Sequence, residues 1–173
     1  TVLQSVCSGS VTPIVLTSNV AGTLFNWNVV QTGVTGASNG SGAIIAQTLT
    51  TISNNIGVAV YSVMPLVGGC PGVPTLVIVR VNPIPIATAN AAVTTICSSG
   101  ITNITLTSTV AGTMFSWTVI QTGIFGASSG SGATIAQTLT TVGSNQGTVF
   151  YTITPTFNGC SGAPITVTIT VNP

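Results

Sequence analysis

The sequence predicts an all-β chain of two tandem β-sandwich domains in a rod, on three observations. It matches itself at a constant offset of 90 residues without gaps, the mark of a duplicated unit. Its apolar residues alternate with Thr and Ser at period two, the rhythm of half-buried strands. Gly, Asn, Ser and Pro clusters separate these runs, and no stretch has helical spacing.

The duplication sets the domain boundaries. Cys7 recurs as Cys97, Trp27 as Trp117, Tyr61 as Tyr151 and Cys70 as Cys160, and about half of all aligned pairs are identical. The longest shared block, Ile45 to Thr51, returns at 135–141, and Val81-Asn82-Pro83 returns at 171–173. A unit of this length is a small domain and not one turn of a solenoid. The expected domains are 1–83 and 84–173, with the Pro-containing segment 84–90 as a stiff linker or as the first strand of the second unit.

In the second copy Ile104 and Leu106 mark an early strand. Phe115, Trp117 and Val119 alternate with Met114, Ser116 and Thr118 in the next. The segment 135–139 reads as another strand, Val149, Tyr151 and Ile153 as the inward phase of a fourth, and 165–171 as an unbroken alternation with Thr. Turns fall at 122–132 and 158–162. Short strands at this spacing, with one Trp on an early-middle strand, indicate an immunoglobulin-like sandwich. Its expected core anchors are Phe25, Trp27 and Tyr61 in the first copy and Phe115, Trp117 and Tyr151 in the second.

Composition excludes whole classes of function. The chain has no Asp, Glu, His or Lys, and Arg80 is its one charged side chain. General acid–base catalysis has no residue to use, and the Ser and Thr hydroxyls have no base to activate them. No catalytic residue, metal site or cofactor is therefore expected: hard cations need carboxylates, and nucleic acid needs a basic surface. The Gly-rich segment 36–42 lacks the Lys of a phosphate loop and reads as a connection. No apolar run reaches the ~20 residues of a membrane span, so membrane insertion is not expected in this segment. The chain starts at Thr1 with no initiator Met or signal peptide, which together with the repeats reads as an internal segment of a longer protein. With 45 % hydrophobic residues and almost no charge, the surface suits a molecule that associates or carries glycans.

Several blocks in combination resemble the PKD-like repeats of Bacteroidota surface proteins. They are Ile96-Cys97-Ser98, Gly112 to Trp117, Gly126 to Gly132, Thr152 to Thr156 and Asn158-Gly159-Cys160, with the closing Val-Asn-Pro. The match is poorer in the first copy, where Ser62-Val63-Met64-Pro65-Leu66 replaces the Thr-rich strand. The resemblance implies a β-sandwich that serves as spacer or adhesive unit in long cell-surface adhesins and filaments, often exported by the type IX secretion system.

The reading that follows is a non-catalytic structural repeat of an extracellular surface filament or adhesin stalk. Its partners would be copies of itself, neighbouring repeats of the same fibre, or surface glycans. The alternative is a carbohydrate-binding module of a secreted protein, for which Phe125, Phe150 and Phe157 are the aromatic candidates. Four Cys in an export-type chain imply two disulfides. Either each unit closes its own, Cys7 with Cys70 and Cys97 with Cys160, or Cys7 bonds Cys160 across domains and leaves Cys70 and Cys97 to neighbouring repeats. Six positions exchange Thr in the second copy for a large apolar residue in the first: Val15, Val58, Met64, Leu66, Leu76 and Ile78. They are expected to form a lateral interface on the first unit's outer face. Two sequons, at Asn39 and Asn103, are candidate glycosylation sites, although the pattern often arises by chance.

Overall fold

The computed structural model describes all of residues 1–173, and the chain divides into two compact units, Thr1–Ile84 and Pro85–Pro173. Each is a β-sandwich, as the alternating pattern requires. In the first unit the larger sheet runs in the order Val2–Cys7, Thr75–Asn82, Gly57–Val67, Leu24–Thr32, Gly40–Ser41. Val2–Cys7 pairs with Thr75–Asn82 in parallel, and the other neighbours are antiparallel. The second unit repeats this order with Thr95–Cys97, Ile165–Asn172, Gly147–Phe157, Met114–Thr122 and Gly130–Ser131.

The facing layer differs between the units. In the second, Ala87–Ala91 pairs with Ile104–Ser108, which pairs with Thr134–Ile135. In the first, the layer is reduced to Ile14–Val15 against Ile44–Ile45. The segment expected as linker or first strand is thus a strand from Ala87 onward. The segment 135–139 is not one strand: it ends at Ile135 and resumes at Thr138. The break falls at Gln137, whose backbone N–H is taken by the Thr102 hydroxyl at 2.9 Å. The chain there leaves one sheet and joins the small ladder with Gly100–Ile101 and Ile124–Phe125.

The cores are the inward phases of these strands. Phe25, Trp27, Tyr61, Val77, Val79 and Val81 are buried in the first unit, and Phe115, Trp117, Tyr151, Ile153, Ile169 and Val171 in the second. Burying side chains of this size contributes about 1.5–3 kcal/mol each. Such cores and the backbone ladders hold fold units that have no ion pair available.

Candidate functional site: unit ends and outer sheet faces

The shared block 45–51 encodes an interior polar clamp, and the same atoms meet in both units. The Tyr61 hydroxyl donates to Gln47 Oε1 at 2.8 Å, and Gln47 Nε2 donates to the Ser38 carbonyl at 2.8 Å. The Trp27 indole N–H donates to that same carbonyl at 3.1 Å. Thr12, fully buried, accepts the Gln47 N–H and donates to the Ile45 carbonyl. In the second unit Tyr151, Gln137, Ser128, Trp117 and Thr102 reproduce every one of these bonds. Buried polar groups that are all partnered fix one arrangement of a core. The clamp therefore accounts for the Gln shared by the block in both units, and it leaves these hydroxyls and amides engaged. Burial raises the pKa of both Tyr hydroxyls above their ordinary value; for Tyr151 a hydrogen bond with Thr102 opposes this in part.

The six exchanged positions are outward, as their phase requires. Val58, Met64, Leu66 and Ile78 are half-buried, and Val15 and Leu76 are exposed. Thr148, Thr154 and Thr156 are half-buried, and Thr105, Thr166 and Thr168 are exposed. Ile78 alone is in a more covered class than its counterpart, so within the chain itself the first unit's outer face is as open as the second's. Five of the six share one face of two paired strands, Gly57–Val67 and Thr75–Asn82. Val15 stands apart, on Ile14–Val15 of the other layer.

The register adds residues that sequence reasoning missed. Leu3 lies opposite Ile78, Ile78 opposite Val60 and Val60 opposite Val30, an apolar row across four strands. Leu3 and Val30 are 61 % and 72 % exposed. No single-strand pattern could reveal this row, because it depends on how four segments align. Arg80 is exposed on the same face, opposite Ser5 and Val58.

The cysteines occupy the two ends of each larger sheet. Cys7 lies opposite Asn82, so it closes a strand and is not in the turn after it. Cys70 lies opposite Val67, at the other end of Gly57–Val67. Gly57 pairs with Val81, beside Asn82. The two cysteines of the unit are therefore separated by the length of that strand, roughly 33 Å at ~3.3 Å per residue. Cys97 opposite Asn172 and Cys160 opposite Phe157 repeat this placement. Cys7 is in a disulfide, as is Cys160, whereas Cys70 and Cys97 are exposed free thiols.

The aromatic candidates for a sugar platform do not come together on one face. Phe150 and Phe157 lie on the same strand seven positions apart, about 23 Å at ~3.3 Å per residue and on opposite phases. Phe125 is on the small ladder, opposite Thr140. Asn39 is exposed and its Oδ1 accepts the Val29 N–H at 2.8 Å. Asn103 is exposed and its carbonyl accepts the Ala92 N–H. No group of three or more His, Cys, Asp or Glu is placed to hold a metal ion, and no helix is long and apolar enough to cross a membrane.

A family model described as a PKD-like domain matches residues 4–85 and again 94–173. The chain belongs to the PKD-like domain family. Both units carry the signature, which agrees with the duplicated clamp and the duplicated sheet order. None of the curated protein sequences matches significantly. Among solved structures, human mucin-like protocadherin EC1-2 is 12 % identical, with 98 % of this chain and 94 % of that one aligned and a TM-score of 0.41. The human desmocollin-1 ectodomain is 10 % identical over 98 % of this chain and 40 % of its own, with a TM-score of 0.46. Fibronectin(III)-like modules of CbhA from Clostridium thermocellum are 11 % identical over 99 % and 90 %, with a TM-score of 0.40.

Proposed function

We propose that this pair of PKD-like domains is a non-catalytic structural repeat of an extracellular surface filament or adhesin stalk. The observation that carries the reading is a chain without Asp, Glu, His or Lys that writes one sandwich, with its polar clamp, twice. Such a protein has no group for acid–base chemistry, and its duplicated units suit serial extension. Export fits the disulfide, which persists in oxidising compartments. The resemblance to Bacteroidota surface repeats supports export by the type IX system.

Within this reading Cys7 bonds Cys160, so that the end of one unit is stapled to the start of the next. The support is geometric: a bridge needs Cα atoms within about 7 Å, and the two cysteines of one unit stand far beyond that. Cys70 and Cys97 then serve further repeats in the same way. The apolar row through Ile78 and Val60, with Met64, Leu66 and Leu76, gives the first unit a face for lateral contact with another copy. Sedimentation velocity over a concentration series tests the association. Concentration-dependent growth is expected; a clean monomer at high concentration would contradict it, and retention on polysaccharide gels would favour the carbohydrate-binding alternative.

A further inference from the structure

The one charged side chain stands on the first unit's outer sheet face, and no other side chain in the sequence can neutralise it. Arg80 is exposed one row from the apolar row of Leu3, Ile78, Val60 and Val30. A guanidinium carries five N–H donors and no acceptor, and the chain has no Asp or Glu to meet them. Two first-unit faces laid on each other would therefore enclose two guanidiniums and no carboxylate. Burying charges without a partner is costly, and like charges repel as well.

The second unit's outer face has the same register and a different chemistry. Phe150 lies opposite Ile120 and Thr168, at the positions that Val60, Val30 and Ile78 hold in the first unit. Phe150 is 42 % exposed and Ile120 is 69 % exposed, an apolar pair without charge. A row of hydroxyls flanks this pair on each side, Thr122, Thr148 and Thr170 on one and Thr118, Thr152 and Thr166 on the other. Successive rows of either face stand two residues of strand apart, about 6.6 Å. When the first unit's apolar row lies along Phe150 and Ile120, Arg80 falls over a Thr row in either direction along the strands. Hydroxyl lone pairs then accept from the guanidinium.

We propose that the outer face of the first unit docks on the outer face of the second unit of another copy. Val60 and Ile78 cover Phe150 and Ile120, and the Thr hydroxyls hold Arg80. This pairing rests on the reading of the chain as a self-associating repeat, and it names the faces that meet. Each copy offers one face of each kind, so the contact is heterologous and passes from copy to copy. Four strands at ~4.8 Å spacing and eight residues at ~3.3 Å give the first unit's face a footprint of roughly 500 Å². A standard stable interface buries about 800 Å² on each partner. One contact is therefore weak, and the array holds by repetition.

The test places a photo-crosslinking residue, p-benzoylphenylalanine, at position 150 of the full chain and mixes isotope-labelled with unlabelled copies to identify links between copies. Sedimentation velocity over a concentration series is run on the same material. Links from position 150 should reach first-unit peptides of another copy, from 57–67 and 75–82. Phe150→Thr and Val60→Thr should each raise the concentration needed for association about tenfold, as one large apolar group is left uncovered. Arg80→Thr installs the residue of the matching second-unit position, Thr170. It should admit pairing of first-unit faces, so that the photo-crosslinker at position 60 links to first-unit peptides only in that variant. Association with links from position 150 to second-unit peptides of another copy would overturn this pairing alone. Links between two first-unit faces with Arg80 in place would do the same. A chain that stays monomeric at high concentration would overturn the association reading and the pairing with it.

Discussion

Tyr61 donates its hydroxyl hydrogen to Gln47 Oε1 at 2.8 Å, and ninety residues on Tyr151 makes the same bond to Gln137 at 3.0 Å. The Gln side chain in turn holds the Ser whose carbonyl receives the Trp indole, so one amide ties the two layers of each sandwich together. Removing it leaves the Tyr hydroxyl without that acceptor, while the Ser carbonyl keeps the Trp indole N–H. A buried group left in that state costs about 1–3 kcal/mol. Gln137→Ala should therefore destabilise the second unit by about 1–3 kcal/mol, measured by urea unfolding. Tyr151→Phe, which removes only one donor, should cost less. Equal stability of Gln137→Ala and the native chain would show that the clamp is ornamental.

The Trp anchors depend on a glycine beneath them. A Cβ at Gly40 would stand 2.7 Å from the Trp27 ring, and one at Gly130 2.8 Å from the Trp117 ring. Gly130→Ala should displace the indole and break its bond to Ser128, at a cost of about 1–3 kcal/mol for an overpacked core. Trp fluorescence reads the change directly: the emission should shift to the red while the far-ultraviolet spectrum stays β-like. An unshifted emission would mean that the ring relaxes without cost.

Dependence on pH should be unusual at both ends. Acid unfolding comes mainly from carboxylates paired in the native state, and this chain has no Asp or Glu. Stability should therefore be flat from about pH 3 to neutrality. At the alkaline end the two buried Tyr hydroxyls have pKa values raised from 10.0 by desolvation. A raised folded value means that the neutral form is favoured by folding. That contribution is complete below pH 10.0, the ordinary Tyr value, and is lost as pH rises through the raised values. Urea midpoints measured across the range should hold level and then fall above the ordinary Tyr range. An acid transition near the carboxylate pKa values would contradict this.

Much of this was legible in the residues, and the reasons are specific. The period-two runs through Val149-Tyr151-Ile153 and Val167-Ile169-Val171 announced strands because one face of each is buried. The duplication announced two domains, because Cys7, Trp27, Tyr61 and Cys70 each have a partner ninety residues on. The clamp was not legible: Gln47 and Thr12 meet only after the chain has crossed between layers, and a polar residue in a Thr-rich run carries no signal of burial. The break at Gln137 was missed for the same reason. The row from Leu3 to Val30 depends on register across four strands.

Peptide mapping without reduction addresses the cysteines. The staple predicts a Cys7–Cys160 peptide, with Cys70 and Cys97 alkylated as free thiols in the isolated two-unit chain. A Cys7–Cys70 peptide would require the sheet ends of one unit to meet, and the register of Gly57–Val67 forbids that.

Negative-stain electron microscopy of the protein isolated from the cell surface tests the central claim most directly. A structural repeat of a surface filament predicts long beaded fibres with one bead for each PKD-like unit. Monodisperse particles without extended arrays, bound to polysaccharide, would contradict it.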